Sequence, residues 1–306
     1  MSNIINKRYD FLYLFDVTDG NPNGDPDFAN TPRFDPETYQ GLVSDVCLKR
    51  KIRDYVYALK SQSGAIEPGY DIYVLQGNSL ESRQRMPYDN LKELDKEAKG
   101  KNTKAESMRM ARAWMCKNFF DVRTFGAVMS TTDFWCGQVR GPVQITFARS
   151  YDRIFSTDHA ITRVAYTKES KKEGTSAQTE IGHKHTVAYG LYAAYGFINP
   201  NLAGGDDGTQ FSEDDLQVLW TALTNMFDLD HSAARGRMAA RGCYVFEHES
   251  ALGNAPSHKL FDMVKVQRVE GVETPRAFTD YTVTSIDELN DRMPDGVSVL
   301  DKTAQE

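Results

Sequence analysis

Apolar and polar residues alternate across residues 9–17 (YDFLYLFDV), which places Phe11, Tyr13, Phe15 and Val17 on one face of a buried strand. Residues 18–39 are crowded with Gly, Pro, Asn and Asp and read as loop. Over 41–60 the period becomes helical, with Leu48, Ile52, Tyr55 and Leu59 recurring on one stripe. Residues 61–69 end that helix, 70–108 are polar and weakly periodic, and 103–118 predict another helix within what reads as an insertion. Alternation returns over 143–149, with Val143, Ile145 and Phe147 on one face and Pro142 at the strand's start. Between 150 and 184 the charges are many, the apolar residues few, and no long periodic element is predicted. Residues 187–197 predict a long strand with Val187, Tyr189, Leu191, Ala193, Tyr195 and Phe197 on one face. Ser212, with Asp215 three residues on, opens a capped helix carrying Leu216, Leu219, Trp220, Leu223 and Phe227. Residues 243–249 (CYVFEHE) form the last core strand.

In order, these elements are β-α-(insert)-β-(insert)-β-α-β. That is an α+β chain in the split βαβ, ferredoxin-like order, also the order of RNA-recognition domains that bind single strands on their sheet. Topology alone assigns no function.

Composition narrows the classes. In 306 residues, 40% hydrophobic and 26% charged is ordinary globular usage, and no apolar run approaches the roughly 18 residues a membrane helix needs. Residues 1–10 carry no apolar run of the signal-peptide kind. Cys47, Cys116, Cys136 and Cys243 lie far apart, which argues against a zinc ribbon or a disulfide framework and leads us to expect a cytoplasmic chain with no membrane partner. The net charge of −7 is uneven. Residues 205–230 hold seven acids and no Lys or Arg, and 286–306 hold six acids against two bases. Setting aside those two stretches, with their net 11 negative charges, leaves the rest of the chain at about +4, so a polyanionic partner stays open.

Four segments carry candidate chemistry. The loop 19–27 (DGNPNGDPD) has the glycines, prolines and amide side chains of an elaborate turn or of a ligand-facing mouth; it is not a phosphate-cradling P-loop. On the helix 44–60, Lys49, Arg50, Arg53 and Lys60 share a wedge beside the apolar stripe that contains no acid, while Lys51 lies on the opposite flank, Asp45 lies between the wedge and the core, and Asp54 lies elsewhere. Such a wedge suits either solvent or a phosphate backbone. Residues 232–243 (SAARGRMAARGC) bring Arg235, Arg237 and Arg241 without an acid. The arm 150–184 combines Arg153, Arg163, Lys168, Lys171, Lys172 and Lys184 with isolated apolar residues Ile154, Phe155 and Ile161, the composition of a wedge between bases. Catalytic patterns are thin. Asp228, Asp230 and His231 with Glu247 and His248 are a weak metal candidate; His183 and His185 would share a strand face; no nucleophile elbow is present.

Asn21-Pro22-Asn23-Gly24-Asp25-Pro26, the run Ser44 to Arg53 (SDVCLKRKIR), and Arg235-Gly236 leading to residues 244–248 (YVFEH) together resemble the repeated backbone subunit of type I CRISPR Cascade complexes. That subunit belongs to the RAMP superfamily, and the similarity is nearest to the type I-C branch; it runs from Tyr9 to about Val269. The resemblance implies a palm built like an RNA-recognition domain (1–60, 121–149, and 185–285 with the C-terminal strands), helical fingers (61–120), a thumb arm (150–184) and an acidic tail (286–306). It implies a non-catalytic scaffold without cofactor or metal, polymerising with further copies of itself along a CRISPR guide RNA beside other Cascade subunits. The guide then pairs with target DNA. Carried over by position, Lys49, Arg50 and Arg53 would contact guide phosphates, Ser44 would donate a hydroxyl, and Asn21 and Asn23 would lie beside the RNA. Arg235 and Arg237 would meet RNA or a neighbouring copy, and Ile154, Phe155 and Ile161 stand as thumb wedge residues. Asp45 departs from the family's uncharged polar residue and is left out of this set. The alternative is a type III-like subunit that cuts target RNA through a loop aspartate, Asp25, Asp27 or Asp35.

Overall fold

A computed structural model describes residues 3–304 except 63, 93, 95–99, 101, 102 and 165–180. Strand β1 (Tyr9–Gly20) turns Phe11, Tyr13, Phe15 and Val17 to the main core, as the alternation predicts, and buries Leu12 and Leu14 on its other face. The Gly/Pro-rich loop folds on itself as a small hairpin of β2 (Gly24–Asp25) and β3 (Thr31–Pro32). Next comes β4 (Gln40–Val43), where helix was expected from Gly41. Edge pairing wins there: Gly41 N donates to Ser150 Oγ at 2.8 Å and Gln40 Nε2 to Ser150 O at 2.8 Å. Helix α1 (Asp45–Lys60) starts only where Ser44 caps it, and buries Leu48, Ile52 and Val56.

Residues 70–140 hold α2 (Leu80–Asn90), α3 (Ala105–Asn118), α4 (Phe120–Phe125) and the hairpin β5 (Gly126–Met129)/β6 (Gly137–Arg140), so part of the stretch 121–149 expected as palm packs with the insertion expected over 61–120. They surround their own cluster of Tyr73, Tyr88, Met115, Phe119 and Met129. The periodicity missed α2 because that helix buries only Gln84, Pro87 and Tyr88. The strand expected over 143–149 divides into β7 (Val143–Ile145) and β8 (Ala148–Arg153), with Phe147 exposed at the break. Strand β9 (Ser156–Thr162) pairs antiparallel with the start of β10 (Ile181–Ile198), so the arm begins as a two-stranded ribbon. Along β10 the expected single face is corrected. Tyr189, Leu191 and Ala193 point away from α1, whereas Tyr192, Ala194 and Ile198 join Val187 in the main core.

Helix α5 (Glu213–Leu229) opens with the reciprocal Ser212–Asp215 capping box and packs Leu216, Leu219, Trp220, Leu223 and Phe227 inward. Strand β11 (Arg237–His248) follows, then α6 (Ser257–Phe261), the hairpin β12 (Val266–Arg268)/β13 (Tyr281–Val283), α7 (Ile286–Asn290) and β14 (Val297–Asp301). The acidic tail is therefore built into the fold: Val297 and Val299 are buried, and β14 is the edge strand beside β11.

The main sheet runs β14-β11-β1-β10-β8-β4 with antiparallel neighbours. Its inner four strands have the spatial order of a split βαβ unit, with α1 and α5 contributing to the core on one face. The C-terminal elements cover the other face through Leu260, Val264 and Leu289. Arg123 ties α4 to the start of α5. Its guanidinium donates to both Asp215 oxygens at 2.8 and 2.7 Å and to the carbonyls of Cys116 and Gly69. Among the described residues no helix is long and apolar enough to cross a membrane, and the four cysteines are buried free thiols.

Candidate nucleic-acid interface

Three of the segments singled out in the sequence meet at one end of the sheet, where β1 ends and β11 begins. Gly20 and Gly236 make this possible. A Cβ on Gly20 would lie 1.9 Å from the Arg235 carbonyl oxygen; Gly236 has φ +62 and faces the Thr18 carbonyl. Asn21 N donates to Ala234 O at 2.7 Å, and Arg235 Nη1 donates to the carbonyls of Asn21 and Pro22 at 3.1 and 3.3 Å. Asn23 then joins the loop to α1: its Oδ1 accepts Ser44 N and Ser44 Oγ, both at 2.9 Å, while Ser44 Oγ accepts Cys47 N at 3.3 Å. Asn21 is buried and its Nδ2 donates to Asn30 O at 2.7 Å. Loop, helix N-terminus and Arg235 thus form one rigid mouth, with the first-turn N–H groups and the positive end of the α1 dipole directed toward it.

The wedge on α1 is not free of acid once the chain folds. Lys49 Nζ pairs with Asp45 at 2.9 Å, and Arg50 with Asp54 at 2.5 Å and Asp230 at 3.5 Å. Arg53 Nε pairs with Asp121 at 2.9 Å, and Lys60 with Glu67 at 2.9 Å. Lys51, on the opposite flank, is fully buried against Asp230 and beside the Phe227 ring, and burial lowers its ammonium pKa to about 8. The four wedge residues differ in access. Arg50 keeps 42% of its side chain exposed, whereas Lys49 and Arg53 keep 14% and 12%. Asp121, 1% exposed, also accepts the N–H groups of Tyr73 and Val74 at 2.7 and 3.0 Å. Arg53 therefore holds α1 to the insertion.

The same end of the sheet carries open cations and aromatic faces. Arg237, at the start of β11, is exposed. Phe34 and Tyr39 stack on each other at 5.9 Å with 42% and 53% exposure, and Phe28 is 70% exposed. The sequence reading passed over these three rings. Their signal was aromatic residues inside a Gly/Pro/Asp-rich loop, where no core would need them. On the arm, Ile154 is corrected from wedge to core: it is 8% exposed, and its N–H donates to Tyr39 O. Phe155 and Ile161 do face solvent, at 82% and 40%. Lys168, Lys171 and Lys172 lie outside the described residues.

Two of the three loop aspartates are occupied. Asp25 pairs with Arg33 at 3.1 Å and caps a 3-10 turn through Asp27 N. Asp35 pairs with Arg149 at 2.8 Å, which, with the N–H of Glu37, holds its carboxyl below the usual range. Asp27 is exposed. The residues of the metal candidate point to separate partners, Asp230 to Lys51, Glu247 to Lys7 and His248 to Asp10. Among the described residues no three metal-ligating side chains converge. His183 and His185 share a face of β10, both toward Asp158.

The family model described as CRISPR-associated protein Cas7 matches residues 7–286. A CRISPR-associated protein Cas7 of Haloferax volcanii is 26% identical over 320 residues, covering 96% of this chain and 85% of that protein. Among solved structures, a chain of a "CRISPR RNA-guided surveillance complex, pre-nicking" superposes with a TM-score of 0.51 at 14% identity, over 93% of this chain and 87% of that one, a likeness of fold. The chain belongs to the Cas7 family of CRISPR-associated proteins.

Proposed function

We propose that this chain is a non-catalytic scaffold of a type I-C surveillance complex, cytoplasmic, lining a CRISPR guide RNA with further copies of itself and other Cascade subunits while the guide pairs with target DNA. The observation that carries this reading is the mouth in which Asn21, Asn23, Ser44 and Arg235 are locked together beside an accessible cation, Arg50. Arg50's pair with Asp54 is solvent-exposed and of the kind worth at most ~1 kcal/mol, so a phosphate can displace the carboxylate at little cost. Arg237 adds an exposed cation at the same end of the sheet; the Ser44 hydroxyl is spent on Asn23, so the neutral donors left at the mouth are the first-turn N–H groups of α1 that the cap does not take. A guanidinium and backbone N–H groups are donors suited to phosphate oxygens, which fits a protein that leaves sequence recognition to pairing. Arg53 serves the site by holding the helix through Asp121.

Binding to single-stranded RNAs of unrelated sequence tests it. Similar affinity across sequences, falling steeply with salt, is the expected result. Affinity for one sequence alone, with little salt dependence, would refute it. The cleaving alternative has one specific footing, the exposed Asp27. Incubating the guide-loaded complex with complementary RNA and magnesium should give no cuts; regular cuts abolished by Asp27→Ala or Asp25→Ala would establish the alternative.

A further inference from the structure

On the face of the sheet opposite α1, a cleft of about 160 Å³ opens between the turn from β8 into β9 and the segment before β13; Asp152, Arg153, Phe155, Tyr189, Arg276 and Tyr281 are among its walls. Its acids are already taken. Asp152 accepts the Tyr281 hydroxyl at 2.7 Å and faces Arg268 Nε at 3.4 Å. Below it, Asp16 accepts the Tyr189 hydroxyl at 3.1 Å and Arg241 Nε at 2.9 Å. Arg153 and Arg276 are both exposed, and among the described residues neither has a carboxylate within ion-pair distance. In a chain of net charge −7, whose α1 cations are all answered by acids, two unanswered guanidinium groups in one cleft are a local anion site. The guanidinium fork suits phosphate oxygens. Phe155, with 82% of its surface in solvent, stands at the rim as a flat apolar face. The Tyr189 and Tyr281 rings, 6.4 Å apart, form a firm floor. The volume is roughly ten times what one water needs, room for a phosphate or a base edge and too small for a duplex.

We propose that this cleft binds one nucleotide of a single strand, with Arg153 and Arg276 on its phosphate and the Phe155 ring against its base. The proposal rests on the scaffold reading above and adds a second contact, on the far face of the sheet but at the same end. In β1, Thr18 pairs with Tyr189 of the cleft on one side and with Arg237 on the other, and Gly20 begins the mouth.

The source of the nucleotide, guide or target strand, is separated by two arms of one experiment. The full chain is assembled with guide RNA carrying 4-thiouridine, or with unlabelled guide plus a thio-labelled complementary strand, then irradiated and mapped by peptide mass spectrometry. Cross-links to the peptides containing Phe155 and Arg276 are expected from one arm, and that arm names the strand. In parallel, the R153A/R276A variant, altered only at exposed side chains, should keep its melting temperature and bind that strand about tenfold more weakly. Its log–log salt dependence should be shallower by about 0.7, the value for one lost phosphate contact on a single strand. F155A should weaken binding without changing that slope. Wild-type binding with an unchanged double variant and no cross-link in either arm would overturn this proposal alone. Failure of the wild type to bind guide RNA at all would overturn the scaffold reading and this one together.

Discussion

Replacing Arg53 by alanine separates a cation that holds the fold from one that faces the ligand. Arg53 Nε donates to Asp121 at 2.9 Å, its guanidinium lies 5.4 Å over the Phe125 ring, and the Asp121 carboxylate is 1% exposed. Removing it strands a buried carboxylate, a loss of ~3–5 kcal/mol when nothing compensates. The N–H groups of Tyr73 and Val74 remain on Asp121, so ~3 kcal/mol is the better figure. At ~2.1 cal/mol/K per residue, unfolding 306 residues carries ~0.64 kcal/mol/K of entropy, and the loss becomes a drop of about 5 °C in Tm. Arg50→Ala breaks an exposed pair, 42% and 41% accessible, and should move Tm by no more than ~1–2 °C while lowering RNA affinity. Differential scanning calorimetry with RNA titrations on the two variants reads both quantities. Equal Tm shifts for Arg53→Ala and Arg50→Ala would refute the reasoning. A triple replacement of Lys49, Arg50 and Arg53 would mix unfolding with lost binding, so phosphate contact is better tested with Lys49 and Arg50 alone.

Two further outcomes follow from buried charge. Asp230→Ala leaves Lys51 buried with its counter-ion gone and should cost ~3 kcal/mol in urea unfolding, whereas Lys51→Met fills the same space without charge and should stay within about 1 kcal/mol of wild type; the reverse order would contradict the assignment. Arg123→Ala removes the fork on Asp215 and the donors to the Cys116 and Gly69 carbonyls, and should lower Tm by roughly 5–8 °C; an unchanged melt would show that the insertion does not depend on this tie.

What the sequence made legible follows physical lines. Long periodic elements announced themselves: the alternation of β1 and the capping box of α5 stand where the pattern put them, and α1 keeps Leu48 and Ile52 of the expected stripe while Val56 rather than Leu59 completes its buried side. Elements whose pairing is carried by the backbone did not. The ribbon of β9 with the start of β10 is exposed on nearly every side chain, so no apolar alternation marks it. β4 is four residues long and was absorbed into the helix that follows. In the last stretch, buried Val297 and Val299 were hidden among acids. The mouth was legible as three motifs, but their joining was not, because Asn23 meets Ser44 from 21 residues away and Arg235 meets Asn21 from 214. The neutralisation of α1 divides the same way. Asp45–Lys49 and Arg50–Asp54 are i,i+4 pairs readable from spacing, while Asp121 reaches Arg53 from 68 residues away.

The central claim is that the mouth formed by loop 21–25, the capped start of α1 and Arg235 grips a strand by its backbone. Cryo-electron microscopy of the chain co-expressed with a guide RNA tests it most directly. The account predicts density for sugar–phosphate within hydrogen-bond reach of Ser44, Arg50 and the Asn21–Asn23 loop in every copy, with bases turned away from the protein. RNA running along another surface, with that mouth open to solvent, would contradict it.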